Sequence, residues 1–212
     1  MNIGVFDSGI GGEVIAHALK KEFPNAKFAV VNDRAHLPYG SKTSEEIRRL
    51  TDDAVQPLLG SDVIIIACNT ATAVAIDFLR AKYPDQFFIG IEPMIKTAAA
   101  RTKSRVVAVC ATPATLKSQR YRDLKSMHAP AIRILEPDCS TWAQMIEDNV
   151  VNEEHIRSVV QNAVKNSADV IVLGCTHYHW IKDFIIDTAG PSVIVLEPSD
   201  AIGRRIREIL TH

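Results

Sequence analysis

Short runs of β-branched and aliphatic residues alternate along this chain with longer segments in which apolar residues recur at helical spacing. The apolar runs predict strands at Ile3–Phe6, Phe28–Val31, Val63–Ala67, Phe87–Ile91, Val106–Cys110, Ile132–Leu135, Val170–Leu173 and Val193–Leu196. Strands that are apolar throughout are typical of parallel sheets covered on both faces by helices. The pattern therefore predicts an α/β protein built on parallel sheets.

The polar residues between the strands mark where several helices begin and end. Apolar residues from Val14 to Leu19 recur on one helical face, and Phe23-Pro24 ends that helix because proline cannot continue it. Thr43 followed three residues later by Glu46 is typical of a capping box. Thr112 before Pro113 combines an N-cap residue with a proline at the first helical position.

An internal similarity relates the two halves of the chain. The segment 62–70 resembles the segment 169–177, and a weaker similarity relates residues 3–8 to residues 107–112 at nearly the same spacing. Buried strands all resemble one another, but here the matching Cys68 and Cys175 lie beyond the apolar run. We therefore predict two similar α/β domains related by internal pseudo-symmetry, one formed by residues 1–94 with 196–212 and the other by residues 95–195.

Composition and charge argue against several classes of protein. The chain has 24 Lys and Arg against 25 Asp and Glu, so its net charge of −1 does not favour binding to nucleic acid or to an anionic membrane. Apolar runs such as Val63–Ala67 are far shorter than the roughly 20 residues of a membrane span. The first residues lack the basic and long apolar regions of a signal peptide, so we expect a cytoplasmic protein.

Four cysteines, Cys68, Cys110, Cys139 and Cys175, lie far apart without a C-x-x-C pair. This spacing fits free thiols in a reducing compartment better than a disulfide framework or a zinc site. We interpret Cys110 and Cys139 as small buried residues of the core. The polar residues that follow Cys68 and Cys175 favour a chemical role for those two.

Polar clusters follow the strands at their carboxyl ends, where open parallel sheets bind ligands. The clusters predict one cleft lined from both halves, and they are Asp7-Ser8, Asn32-Asp33, Cys68-Asn69-Thr70, Ala111-Thr112 and Cys175-Thr176-His177. Two thiols approaching a carbon from opposite sides could remove a proton from one face and return one to the other. The N-termini of the helices that follow would favour both thiolate and an anionic substrate.

A thiol is mostly protonated at neutral pH, so a cysteine base needs assistance, for which Asp7 and His177 are the candidates. We interpret five other histidines as surface or satisfied groups, namely His17, His36, His128, His155 and His212. The glycines after the first strand do not form a dinucleotide-binding motif, because Val14 stands where the last glycine is required.

Four linked motifs carry a resemblance that spans nearly the whole chain. Residues 3–12, Pro38–Lys42, Ala67–Ala71 and Leu173–Tyr178 together resemble the bacterial glutamate racemases of the aspartate/glutamate racemase superfamily. The resemblance implies interconversion of L- and D-glutamate without a cofactor or metal, D-glutamate being a peptidoglycan precursor. It also implies that Cys68 and Cys175 are the two acid/base thiols.

The same resemblance assigns roles to further residues of this chain. It implies that Asp7 and His177 assist Cys68 and Cys175 respectively and contact the substrate, while Asp33 and Glu147 support proton transfer or the substrate ammonium. The substrate would be held at one end by Ser8, Tyr39 and Gly40 and at the other by Asn69, Thr70 and Thr176. His177 and the turn Pro38–Gly40 resemble the glutamate branch of the superfamily more than the aspartate branch.

This sequence departs from that pattern near the expected site and at its end. Asn32, Glu13 and His179-Trp180 replace residues that are common in the family, and the chain is expected to lack the C-terminal extension of many members. Two alternatives stay open: a racemase of aspartate or another amino acid, and a non-catalytic amino-acid-binding homologue. A thiol hydrolase is disfavoured because it would leave one cysteine idle. A homodimer is the candidate assembly.

Overall fold

The structure, a computed structural model, describes residues 1–210, so the last two residues of the predicted segment 196–212 lie outside the described residues. The chain divides into two compact units. The first contains residues 1–92 and the segment from Pro198 onward, and the second contains Pro93–Glu197. The sequence-based division placed the two boundaries at 94/95 and 195/196.

Within the described residues, strands and helices alternate along the chain. In chain order they are β1 (Asn2–Asp7), α1 (Gly11–Glu22), β2 (Lys27–Asn32), α2 (Ser44–Val55), β3 (Val63–Ile66), α3 (Asn69–Lys82), β4 (Phe88–Gly90), α4 (Ile95–Arg101), β5 (Val106–Ala111), α5 (Pro113–Lys117), α6 (Gln119–His128), β6 (Arg133–Leu135), α7 (Trp142–Glu147), α8 (Glu153–Lys165), β7 (Val170–Gly174), α9 (Lys182–Ala189), β8 (Ile194–Leu196) and α10 (Ser199–Leu210). Short 3₁₀ segments lie at Arg34–His36, Tyr39–Ser41, Gln56–Leu58 and Thr176–Ile181.

The first unit is a four-stranded parallel sheet in the order β2-β1-β3-β4. One of its faces buries Ile3, Val5 and Ile65 completely, under apolar residues of α1 and α10. Glu22 of α1 forms an ion pair with Arg207 of α10 at the edge of this contact. The core therefore lies along the central strands β1 and β3, whose carboxyl ends carry Asp7 and Cys68.

The second unit repeats this arrangement as a four-stranded parallel sheet in the order β6-β5-β7-β8. Its central strands bury Val107, Val109 and Val172, which pack with Ile95 and Ala98 of α4. Both sheets are wholly parallel and share one strand order. The structure therefore confirms the α/β class and the repetition that the sequence predicts.

The similarity between the halves extends to an aspartate just before the third strand of each unit. In the first unit the Asp62 carboxylate accepts a hydrogen bond from the Asn2 backbone N–H, at 2.6 Å. In the second unit the Asp169 carboxylate accepts from the backbone N–H groups of Lys103 and Ser104, at 2.6 and 2.8 Å. Each aspartate thus fastens the start of the first strand of its unit.

All eight predicted strands are present, and their ends differ from the predicted ends by one residue at most. Thr43 caps α2 in a full capping box with Glu46, and Thr112 caps α5 with Pro113 at its first turn, as predicted. Among the described residues, no helix has both the length and the apolar character needed to span a bilayer.

Candidate active site

Cys68 lies two residues beyond the end of β3, as the N-cap of α3, and only 6% of its surface is exposed. Its Sγ accepts a hydrogen bond from the Ser8 hydroxyl at 3.1 Å and one from the Ala71 backbone N–H at 3.4 Å. Ser8 and Cys68 each stand two residues beyond the paired residues Phe6 and Ile66. The sheet register thus brings the hydroxyl to the thiol.

Burial raises the pKa of Cys68 from its ordinary value of 9.0 to about 11. The nearby Asp7 charge is the second cause of this rise, and the hydrogen bonds from Ser8 and Ala71 oppose it. Cys68 is therefore a thiol at neutral pH, suited to donate a proton. It needs a neighbouring base before it can remove one.

Asp7 ends β1 and is fully buried. Its Oδ1 accepts a hydrogen bond from the Gly9 backbone N–H at 2.8 Å, and its backbone carbonyl accepts one from the Asp33 N–H at 2.9 Å. The loop that follows β1 thus orients the Asp7 carboxylate and also carries Ser8. The structure places this predicted helper in the surroundings of Cys68.

The Asp33 carboxylate, just after β2, makes polar contacts with the side chains of Tyr39 and His36. Its Oδ2 accepts a hydrogen bond from the Tyr39 hydroxyl at 2.7 Å, and its Oδ1 lies 2.7 Å from Nδ1 of His36. Burial, and next the hydrogen bond to Asp33, raise the pKa of Tyr39, so this residue stays an uncharged donor. Gly40 follows in the same 3₁₀ turn.

The contact of His36 with Asp33 is one that the sequence did not predict. His36 is half exposed and was interpreted as a surface or satisfied group. The sequence carried one signal for this contact, which is the spacing of three residues between Asp33 and His36. The two side chains become neighbours because the segment Arg34–His36 forms a 3₁₀ turn.

Asn69 and Thr70 open α3 directly after Cys68, and both are buried. Neither the Oδ1 nor the Nδ2 of Asn69 has a hydrogen-bond partner among the described residues. A buried amide without partners costs free energy that a bound polar group would recover. Asn69 therefore has the character of a ligand-binding residue.

In the second unit, three side chains form a hydrogen-bonded chain that begins at Cys175. The Cys175 Sγ lies 3.5 Å from Nδ1 of His177, and Nε2 of His177 lies 2.7 Å from Oε1 of Glu147. The side chains of His177 and Glu147 are 4% and 6% exposed, so this contact is shielded from water. With Nε2–H donating to Glu147, Nδ1 can accept the thiol proton and the carboxylate stabilises the resulting imidazolium.

The segment after Cys175 differs from the one after Cys68. The helix expected to follow directly is a 3₁₀ segment, Thr176–Ile181, and Cys175 makes no side-chain cap hydrogen bond there. The sequence predicts an α-helix directly after the cluster Cys175-Thr176-His177, whereas a 3₁₀ segment begins at Thr176 and His177 stands beside the Cys175 sulfur. Thr176 and His177 are both buried in this segment.

Tyr178 follows His177 in the chain and is fully buried, in contact with a third cysteine, Cys139. Tyr178 donates a hydrogen bond to the Cys139 carbonyl at 3.0 Å and packs edge-on against Trp142, with ring centroids 5.2 Å apart. Contact with Cys110, and then burial, raise the pKa of Cys139, which keeps this thiol uncharged. All four cysteines are free thiols.

The predicted site residues therefore form two groups, each within one unit. The group of the first unit contains Asp7, Ser8, Asp33, Tyr39, Gly40, Cys68, Asn69 and Thr70, and the group of the second unit contains Glu147, Cys175, Thr176 and His177. Among the described residues, no cluster of three His, Cys, Asp or Glu side chains is arranged to hold a metal ion.

Comparisons with known proteins identify similar chains. Residues 12–202 match the family model for Asp/Glu/hydantoin racemases. The chain is 39% identical to the glutamate racemase of Methylococcus capsulatus over 214 residues, which is 98% of this chain and 79% of that protein.

Two solved glutamate racemases have the same fold. The Escherichia coli enzyme, in complex with L-glutamate and the activator UDP-MurNAc-Ala, superposes with a TM-score of 0.89 at 26% identity, covering 100% of this chain and 82% of that one. The Francisella tularensis enzyme, in complex with D-glutamate, superposes with a TM-score of 0.82 at 30% identity, covering 99% and 81%.

Proposed function

Because the chain belongs to the Asp/Glu/hydantoin racemase family, we propose that it interconverts L- and D-glutamate with two cysteine bases and no cofactor. One observation carries the proposal. Cys68 and Cys175 follow the third strand of two units with the same strand order, and each has its own hydrogen-bonding partners. Two such thiols supply the donor and the acceptor that inversion at one carbon requires.

In one direction, we propose that Cys175 first gives its thiol proton to Nδ1 of His177, while Glu147 stabilises the imidazolium. The thiolate then removes the α-proton of the substrate, and the electron pair remains on the α-carbon next to the carboxylate. Cys68, a thiol because of its raised pKa, gives its proton to the opposite face. The product has the inverted configuration, and Cys68 is left as thiolate.

In the other direction the roles are exchanged, and Cys68 must act as the base. Its raised pKa opposes this deprotonation. We propose that Asp7 accepts the proton in this direction, because Asp7 is the buried carboxylate whose charge acts on the Cys68 thiol. Asp33, which accepts a hydrogen bond from the Tyr39 hydroxyl, supports proton transfer at Cys68 as well.

The buried polar groups around Cys68 support recognition of a small amino acid with a second carboxylate. The unpartnered amide of Asn69 is suited to hold a carboxylate or ammonium group, with Thr70 and Thr176 as further donors. We propose that Ser8, Tyr39 and Gly40 hold the other end of the substrate. Glutamate is favoured over aspartate because several relatives named glutamate racemase are 34–39% identical to this chain.

The product would serve as the D-glutamate precursor of peptidoglycan, as the family resemblance implies. A cytoplasmic location is supported by the four free thiols. A homodimer is the assembly we propose, since the exposed Trp180 and Ile186 offer apolar surface to a second copy. Light scattering of the purified protein tests this assembly.

A coupled assay for D-glutamate formation from L-glutamate tests the proposed function. The protein is first dialysed against a chelator, and no pyridoxal phosphate is added. We expect turnover in both directions, and at least roughly tenfold lower kcat/KM with aspartate, a factor that about 1.4 kcal/mol of transition-state binding supplies. Comparable or better turnover of aspartate would establish the alternative substrate, and activity restored only by a cofactor would refute the two-base chemistry.

A further inference from the structure

A side-chain hydrogen bond connects the start of α1 to the end of β2. The Nδ2 of Asn32 donates a hydrogen bond to Oε1 of Glu13 at 3.1 Å. Asn32 is the last residue of β2, and Glu13 lies in the first turn of α1. The N-cap residue Ile10 makes no side-chain cap hydrogen bond. The start of α1 is instead held by the hydrogen bond between Glu13 and Asn32 of β2.

The start of α1 also packs against the Asp7 side chain, at Gly12. A Cβ atom added at Gly12 would lie 2.6 Å from Oδ1 of Asn32 and 3.0 Å from Cβ of Asp7. Asp7 and Asn32 are register partners on neighbouring strands, so their side chains share one face of the sheet. Helix α1 therefore packs at Gly12 against both side chains, with no room for a larger residue.

The orientation of the Asn32 amide is set by the bond to Glu13. With Nδ2 engaged by the carboxylate, Oδ1 faces the interior, where it is buried and has no hydrogen-bond partner among the described residues. An unpaired buried acceptor costs free energy, so the structure retains an arrangement that packing alone does not favour. A buried polar atom without a partner is a local cost of the kind found at positions that serve function.

The loop between β1 and α1 carries the groups that act on Cys68. Gly9 donates its backbone N–H to the Asp7 carboxylate, and Ser8 donates its hydroxyl to the Cys68 sulfur. This loop is only three residues long, from Ser8 to Ile10, between the end of β1 and the start of α1. A shift of the helix start therefore moves Ser8 and Gly9 relative to Cys68 and Asp7.

We propose that Asn32 and Glu13 are positioning residues that fix Asp7 and Ser8 for proton transfer at Cys68; this inference rests on the proposed racemase function. Neither residue needs to touch the substrate. Because small displacements of a catalytic group lower rates strongly, we expect Glu13→Ala to lower kcat/KM about tenfold. Glu13→Gln retains an acceptor for the Asn32 amide and should keep most of the activity.

Isotope effects distinguish this role from general destabilisation. The equilibrium constant of a racemase is one, so kcat/KM must fall equally in both directions whichever thiol is impaired. Substrate deuterated at the α-carbon separates the two steps. Slower transfer at Cys68 raises the isotope effect on kcat/KM for the enantiomer from which Cys68 removes the deuteron. It lowers the effect for the other enantiomer, since return of a proton by Cys68 then limits the rate.

The experiment compares both deuterated enantiomers of glutamate with the wild type and four variants. Glu13→Ala should move the two isotope effects in opposite senses, and Glu13→Gln should leave them near wild type. Glu147→Gln, which impairs the Cys175 side, should reverse the pattern. Asp123→Ala is the matched control, because it removes an exposed amide-to-carboxylate hydrogen bond of 2.7 Å between Gln119 and Asp123 on α6. Its kinetics should not change.

Thermal melting of each variant is measured alongside the kinetics. Wild-type kinetics in Glu13→Ala, with or without a lower melting temperature, would overturn the positioning role. The same would follow if both isotope effects moved in one sense. A wild-type protein that does not racemise glutamate at all would instead overturn the proposed function itself.

Discussion

Alkylation with iodoacetamide tests the chemical state that the structure gives to Cys68. Thiolate is the reacting species, and burial together with the Asp7 charge raises the pKa of Cys68 from 9.0 to about 11. At pH 8 this change lowers the thiolate fraction about a hundredfold relative to an unperturbed thiol. We therefore expect Cys68 to be modified about a hundredfold more slowly than a small-molecule reference thiol at this pH, apart from restricted access.

The pH dependence separates the pKa from access, because restricted access slows alkylation equally at every pH. The rate at Cys68, followed by peptide mass spectrometry between pH 7 and 10, should rise about tenfold for each pH unit throughout. Asp7→Asn removes the second cause of the raised pKa and should speed the reaction at pH 8, whereas Asp123→Asn should not. A rate that begins to level off near pH 9 and is nearly constant by pH 10, as for a thiol with a pKa of 9.0, would refute the raised pKa.

Two further variants test contacts that the structure shows. Glu147→Gln removes the charge from the buried contact with His177, and losing a charged hydrogen bond of about 1.5–3 kcal/mol predicts a fall in kcat/KM of roughly 10- to 150-fold; unchanged kinetics would contradict this. In Asp169, burial opposes ionisation, but hydrogen bonds from Thr102, Ser104 and Lys103 prevail and lower its pKa from 3.8 to about 2. With solvent screening of this partly exposed carboxylate, the shift stabilises the folded state by about 1 kcal/mol above pH 4, and this contribution is lost as the pH falls through about 2. Urea unfolding should show Asp169→Asn less stable at pH 7 and the difference shrinking below pH 4; a difference that stays constant would contradict it.

The fold could be predicted because its signals are local. Apolar runs specify the strands, and Thr43 with Glu46 specifies a helix start through residues that are three positions apart. The two matching segments, with Cys68 and Cys175 at corresponding places, predicted the repeated topology. The strand and cap signals depend on neighbours in the chain, and the repetition appears when two segments of the sequence are compared, so the sequence displays both directly.

The finer contacts of the candidate site could not be predicted in this way. Glu147 meets His177 across 30 residues of chain, and Glu13 meets Asn32 across 19. No local pattern pairs such residues, because tertiary packing decides which helix end meets which strand end. The family resemblance pointed to Glu147, whereas Glu13 and Asn32 stood out only as departures from the family pattern.

The central claim is that Cys68 and Cys175 act on opposite faces of one carbon, and single substitutions test it most directly. Cys68→Ser and Cys175→Ser are each incubated with both enantiomers of a glutamate analogue that carries a chloride leaving group on the β-carbon. Elimination needs only one base, so each variant should lose racemisation but eliminate chloride from one enantiomer, and the two variants should prefer opposite enantiomers. The same preference in both variants, or racemisation retained by either, would contradict the assignment of one thiol to each face.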